Sequence, residues 1–167
     1  MITTLLFDLD DTLLGNDIEK FLPVYLQAFV EHLGLGPNGQ RFAAELVHGT
    51  RAMIENTDPA RSLKSVFDAH FFPAMHWEAG EWTPRLEEFY RARYPQLQSH
   101  TTTRPAARAV MGWAFGAGYR VVIATNPLFP RSAIEQRLQW AGLGDFPFAL
   151  VTSYESTHFA KPHPEYY

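Results

Sequence analysis

The chain has no cysteine, so it forms neither a disulfide framework nor a thiolate metal site. Basic residues are not in excess, because the net charge is −4 and the sequence pI is near 5.9. Such a charge balance gives no field that would attract nucleic acid or an anionic membrane. The first residues show no basic segment followed by a cleavable apolar core, so we expect no signal peptide. No apolar run approaches the roughly 20 residues of a membrane-spanning helix. These absences favour a soluble, cytoplasmic protein.

The most informative segment is an apolar run, Leu5 to Phe7, which ends abruptly at Asp8 and Asp10. The run predicts a strand that is buried on both faces of a parallel sheet. Open α/β sheets bind their ligands at the carboxyl ends of such strands. Because strand side chains alternate, the two carboxylates can share a face, where they need a cation or a shared proton. A hard cation with oxygen ligands suits them.

The middle of the chain, residues 16–101, is predicted to be an all-helical module, because its apolar residues recur with a period near 3.6 residues. Two dipeptides, Asp58-Pro59 and Thr83-Pro84, each predict an N-cap followed by proline at the first helical position.

After residue 102 the pattern changes to alternating strands and helices. Strands are expected near 119–124 and 146–152, with a helix over 131–141 between them. Together with the N-terminal strand, this order predicts an α/β fold with a parallel sheet and right-handed crossovers.

Three segments carry a family resemblance. The apolar run followed by Asp-x-Asp-x-Thr resembles motif one of the haloacid dehalogenase (HAD) superfamily, Val121–Asn126 resembles motif two, and Lys161-Pro162 resembles motif three. They occur in the family's order. The resemblance implies a Rossmann-like core made of residues 1–15 and 102–167, with residues 16–101 inserted as a helical cap.

The resemblance also implies a chemistry, namely magnesium-dependent hydrolysis of a small phosphate monoester, a phosphorylated metabolite, through an aspartyl-phosphate. Asp8 would be the nucleophile, and Asp10 would be the general acid and then the general base. Mg²⁺ would be held by Asp8 and by the backbone carbonyl of Asp10.

The phosphoryl group would be bound by residues of motifs two and three. Thr125 would donate its hydroxyl and Asn126 its backbone N–H, beside a helix N-terminus that favours an anion. Lys161 would supply a positive charge next to Asp8. We expect His163 to lie near the site without a catalytic role.

The chain departs from the family pattern after Lys161, because it stops at Tyr167 and shows no fourth motif with its acidic metal ligand. We therefore expect a chain truncated before motif four, a weakly held metal, and an exposed motif-one edge that favours self-association. Two alternatives stay open: a non-catalytic fragment or binding module, and a phosphomutase-type member. Asp10 argues against a true haloacid dehalogenase.

Overall fold

The computed structural model describes all 167 residues, which form an α/β fold. The strands are β1 (Thr4–Phe7), β2 (Leu14–Gly15), β3 (Thr102–Thr103), β4 (Arg120–Ile123) and β5 (Leu150–Val151). The α-helices are α1 (Ile18–Leu33), α2 (Gly39–Ile54), α3 (Leu63–Met75), α4 (Ala79–Ala92), α5 (Pro105–Gly116) and α6 (Arg131–Trp140). Short 3₁₀ helices lie at Gly36–Asn38, Tyr94–His100 and Pro164–Tyr166. None of the helices is both long and apolar enough to cross a bilayer.

The central sheet is parallel and has the strand order β1–β4–β5. Its strands alternate with helices, so the predicted α/β class with a parallel sheet is confirmed. β1 lies at the edge of the sheet, as expected for a chain without the motif-four strand. The expected burial of β1 on both faces is wrong, because Leu6 is 51% exposed. The predicted strand at 146–152 shrinks to Leu150–Val151, since Pro147 lacks the N–H that a ladder requires.

The helical segment begins as the sequence predicts. Asp17 caps α1 by accepting hydrogen bonds from the backbone N–H groups of Glu19 and Lys20 at 3.2 and 3.4 Å. The helix ends at Gly34, whose φ of 63° is the left-handed conformation that glycine adopts without strain.

Both proline-based helix starts are wrong. α3 begins at Leu63, where the Ser62 side chain caps it, while Asp58 instead closes a tight turn by accepting the Ala60 N–H at 2.9 Å. α4 begins at Ala79, so Pro84 lies inside it.

A two-stranded antiparallel ribbon, β2 with β3, forms where the chain leaves and re-enters the sheet-bearing part. α1 to α4 all lie between these two strands in sequence. Gly15 is required there, because an added Cβ would lie 2.2 Å from Oγ1 of Thr102. The cap and core boundaries themselves stay a prediction.

A second connection joins the helical segment to the loop that precedes the C-terminus. The backbone N–H of Leu63 donates to the carbonyl of Thr157 at 2.9 Å, and Nε2 of His163 donates to the carbonyl of Ile54 at 2.9 Å. Further bonds run from Lys64 N to Tyr154 O and from Asn56 Nδ2 to His158 O. The helical segment is therefore joined to the rest of the chain at two places. One is the ribbon of β2 and β3, and the other is the set of hydrogen bonds between the α2–α3 connection and residues 154–163.

The buried core is continuous between the helical segment and the sheet, and aromatic rings dominate its helical part. Phe29 stacks on Phe89 with ring centroids 3.8 Å apart, and the hydroxyls of Tyr25 and Tyr90 lie 2.7 Å apart. Tyr94 is fully buried. Burial raises the pKa of Tyr94 to about 12, although nearby Arg137 acts to lower it.

We expect stability to fall in alkaline solution partly through Tyr94. The unfolded tyrosine ionises near pH 10, whereas the folded one holds its proton to about 12. Between these values the unfolded state binds fewer protons, so the free energy of unfolding should fall by about 1.4 kcal/mol per pH unit from this group. Urea unfolding of Tyr94→Phe should show a slope shallower by that amount. The exposed control Tyr167→Phe should follow the parent, and equal slopes for all three proteins would contradict the prediction.

Candidate active site

Asp8 follows β1 directly and lies beside Lys161, which is far away in sequence. Nζ of Lys161 donates to Oδ1 of Asp8 at 2.9 Å, and the Thr12 hydroxyl donates to Oδ2 at 3.0 Å. Both side chains are partly buried. The structure thus brings a cation of the predicted motif three to the carboxylate of the predicted motif one.

Asp10 is held separately, and each of its oxygens accepts one hydrogen bond. Nδ2 of Asn16 donates to Oδ1 at 2.7 Å, and Nη1 of Arg137 donates to Oδ2 at 2.5 Å. Neither donor also contacts Asp8, so the two carboxylates are compensated by different partners.

Arg137 is the most deeply buried charged side chain of this site, with 1% of its surface exposed. Its guanidinium carbon lies 4.1 Å from the centre of the Phe129 ring, a cation–π geometry. Burial disfavours the charged form, but Asp10, with Tyr94 and Tyr90, outweighs it and leaves the pKa of Arg137 above its ordinary value. Nε and Nη2 have no hydrogen-bond partner within the chain, so the ion pair with Asp10 is the main compensation of this charge.

Thr125 and Asn126 follow the end of β4, next to the end of β1. Their backbone N–H groups donate to no other backbone or side-chain group of the chain. The carbonyl of Thr125 accepts from the hydroxyls of Thr152 and Tyr166 at 3.0 and 2.7 Å. Two adjacent amides of the pocket lining are therefore not used by any other group of the chain.

Asn126 also contacts motif three, a contact that the sequence did not predict. Its Oδ1 accepts the backbone N–H of Lys161 at 3.2 Å, so it helps to position the lysine. The expected helix N-terminus is not adjacent to Thr125, because α6 begins only at Arg131. The N–H of Arg131 donates to the carboxylate of Glu155 at 3.0 Å, so that amide is already paired.

A pocket of about 470 Å³ opens between the helical segment and the carboxyl ends of the strands. All five predicted site residues line it: Asp8, Asp10, Thr125, Asn126 and Lys161. The rest of the lining is mainly aromatic and aliphatic and comes from the helical segment and the 128–130 loop. The catalytic and binding roles given to these five residues stay predictions.

Four side chains that contact the site were missed from the sequence: Thr12, Asn16, Arg137 and Tyr166. Arg137 did leave a signal, because it shares one helical face with the buried residues Ala133, Ile134 and Leu138. A charged residue on an apolar face indicates a buried partner. Asn16 gave no such signal, since the Gly15-Asn16-Asp17 sequence is typical of an ordinary turn.

The two carboxylates supply only part of a magnesium site. No three His, Asp or Glu side chains cluster in the structure. Each carboxylate oxygen of Asp8 and Asp10 accepts one hydrogen bond, from Thr12, Lys161, Asn16 or Arg137, and keeps a further lone pair for a cation. Mg²⁺ demands near-octahedral oxygen coordination, so Asp8 with the backbone carbonyl of Asp10 would hold it only incompletely.

The chain matches the family model described as a hydrolase, haloacid dehalogenase-like hydrolase, over residues 2–167. No curated protein sequence matches it significantly.

Several solved structures are similar in fold. One is the HAD-hydrolase YfnB from Bacillus subtilis bound to magnesium, with 21% identity and a TM-score of 0.53, covering 99% of this chain and 70% of that chain. Another is CbbY from Rhodobacter sphaeroides in complex with phosphate, with 21% identity and a TM-score of 0.49. The match covers 100% of this chain and 70% of that chain. A third, from Haemophilus somnus 129pt, is described as a predicted phosphoglycolate phosphatase, with 18% identity and a TM-score of 0.49. The match covers 98% of this chain and 68% of that chain.

The buried Arg137–Asp10 pair leads to a stability prediction. Asp10→Asn should lower the free energy of unfolding by about 3 kcal/mol, because it leaves Arg137 charged, buried and without an anion. Adding Arg137→Met removes that charge, so the double variant should be more stable than Asp10→Asn alone. Urea unfolding measures both.

The matched control is Asp11→Asn, because Asp11 pairs with Arg104 at the surface. Exposed pairs contribute at most about 1 kcal/mol. If Asp10→Asn were no more destabilising than Asp11→Asn, the interpretation of Arg137 as a charge that needs Asp10 would be wrong.

Proposed function

Since this chain belongs to the haloacid dehalogenase-like hydrolase family, we propose that it is a phosphatase that acts on a small phosphate monoester through an aspartyl-phosphate on Asp8. The observation that carries the proposal is the 2.9 Å contact between Asp8 and Lys161 in the wall of a pocket. A carboxylate nucleophile with a neighbouring cation, in a cavity of ligand size, is suited to phosphoryl transfer.

In the first step, an oxygen of Asp8 attacks phosphorus while the bond from phosphorus to the ester oxygen breaks. The phosphoryl oxygens are received by the free backbone N–H groups of Thr125 and Asn126 and by Nζ of Lys161. Lys161 lowers the repulsion between the carboxylate and an anionic substrate, because its positive charge lies next to both.

Asp10 gives its proton to the departing ester oxygen and then takes a proton from the water that attacks the aspartyl-phosphate. That water releases phosphate and restores Asp8. In the resting arrangement both oxygens of Asp10 accept hydrogen bonds, from Asn16 and Arg137. Each oxygen keeps a second lone pair, on which Asp10 carries the proton toward the substrate.

Magnesium belongs to the proposal as a weakly bound partner. The supporting fact is that the similar HAD-hydrolase YfnB is described as bound to magnesium. Against tight binding stands the small number of acidic ligands, because Asp8 and Asp10 are the only acidic side chains that line the pocket. A bound Mg²⁺ would be held by Asp8 and the backbone carbonyl of Asp10, and it would offset negative charge on the phosphoryl group.

We expect Asp8→Asn to abolish phosphate release from 4-nitrophenyl phosphate, because an amide is a far weaker nucleophile than a carboxylate. Asp10→Asn should lower kcat about 10²–10⁴-fold, the usual size of general acid–base catalysis. Asp11→Asn makes the same chemical change at an exposed neighbour outside the pocket and should leave the rate unchanged. Unfolding curves recorded beside each assay separate lost chemistry from lost structure.

Mass spectrometry of the quenched reaction should find a phosphoryl group on Asp8 in the parent protein and none in Asp8→Asn. Equal rates for Asp8→Asn and the parent would rule out this mechanism. Phosphate binding without turnover would instead favour a binding module, the alternative reading of the sequence.

We also expect turnover to stop on chelation with EDTA and to return only at millimolar added Mg²⁺, because no complete set of carboxylate ligands is free to hold the ion. The measurement is phosphate release against free Mg²⁺ concentration. Full activity in excess EDTA, or saturation at micromolar Mg²⁺, would contradict this expectation.

A further inference from the structure

We propose that the substrate is a phosphate monoester of an uncharged, mainly apolar alcohol or phenol, rather than an ester that carries a second phosphate or a carboxylate. This inference rests on the phosphatase function proposed above. It is drawn from the part of the pocket beyond Asp8, which the family resemblance does not specify.

The charges in the pocket all lie at one end. Lys161 is the only cationic side chain that lines it, and Lys161 is already paired with Asp8. The other end, called the apolar end below, is lined by side chains of the helical segment such as Phe29, Phe42 and Phe71. A second anionic group on the substrate would enter this apolar end, where no cationic side chain is present to pair with it. Removing such a charge from water without a partner is costly, so the pocket selects against it.

The wall of the apolar end is formed largely by phenylalanine rings that pack against one another. The centroids of Phe29 and Phe42 lie 5.0 Å apart in an edge-to-face contact, and those of Phe42 and Phe71 lie 5.7 Å apart. Phe67 stacks on Phe71 at 5.0 Å. A packed aromatic wall of this kind favours a ligand with a flat or bulky apolar group.

The polar groups at this end are neutral hydroxyls, and most are already paired. The Tyr25 and Tyr90 hydroxyls bond to each other at 2.7 Å, and burial raises the pKa of both, so they stay uncharged. The Thr50 hydroxyl donates to the carbonyl of Leu46 at 2.8 Å. Of these four hydroxyls only that of Tyr154 has no hydrogen-bond partner in the chain, which leaves room for one neutral polar group on the substrate.

The test compares kcat/KM for phenyl, 2-naphthyl and 4-carboxyphenyl phosphate, whose leaving groups are of similar acidity. The naphthyl ester should be favoured over the phenyl ester by about tenfold, because it buries a further ring. The carboxyphenyl ester should be disfavoured by about tenfold or more, because its charge meets no cation.

A matched pair of variants locates the effect in the pocket. Ile18 lines the pocket and is 47% exposed, so Ile18→Lys adds a cation there without disturbing the core. It should raise kcat/KM for the carboxyphenyl ester relative to the phenyl ester several-fold. Val47 is 44% exposed and does not line the pocket, so Val47→Lys should leave that ratio unchanged.

Calorimetric binding of benzylphosphonate and 4-carboxybenzylphosphonate, which are not hydrolysed, tests the inference separately from turnover. Tighter binding of benzylphosphonate, which lacks the carboxylate, supports it even if no ester is hydrolysed, in which case only the phosphatase proposal fails. Turnover that favours the carboxyphenyl ester would overturn the inference and leave the phosphatase proposal standing. Equal ratios for Ile18→Lys and Val47→Lys, or binding of neither phosphonate, would also overturn it.

Discussion

Two carboxylates at the end of one strand repel each other, and the architecture around the site follows from the need to offset that repulsion. The chain does so with two cations from distant segments. Lys161 reaches Asp8 across 153 positions of sequence, and Arg137 reaches Asp10 across 127. A fold that failed to bring both cations to the end of β1 would leave an unpaired charge partly buried.

The two ion pairs, Lys161 with Asp8 and Arg137 with Asp10, differ in how far the cation is exposed, so the two cations interact with different groups. Lys161 is partly exposed and in the pocket wall, so its charge is available to an entering anion as well as to Asp8. Arg137 is buried behind Phe129 and does not line the pocket, so its charge acts on Asp10 and the neighbouring tyrosines rather than on an entering ligand. The cation of Asp8 therefore faces the pocket, whereas the cation of Asp10 is shielded from it.

Much of this was predictable from the sequence because it depends on local pattern. The apolar run before Asp8, the β-branched strand before Thr125 and the Lys161-Pro162 pair predicted which side chains would meet in one pocket at the carboxyl ends of the strands. The pairing of Asp10 with Arg137 was not predictable in the same way, because it depends on where α6 crosses the sheet. The helix starts at Pro59 and Pro84 were wrong because proline fits a first turn without requiring one, and the actual starts are at Leu63 and Ala79.

The hydrogen bonds between the α2–α3 connection and residues 154–163 attach the helical segment to the loop that contains Lys161. Ile54 is bonded to His163, two positions beyond the lysine, and Leu63 is bonded to Thr157 before it. Any outward swing of the helices would either break these bonds or pull the lysine away from Asp8. The position of the helices over the pocket and the contact of Lys161 with Asp8 are thus linked through this one loop.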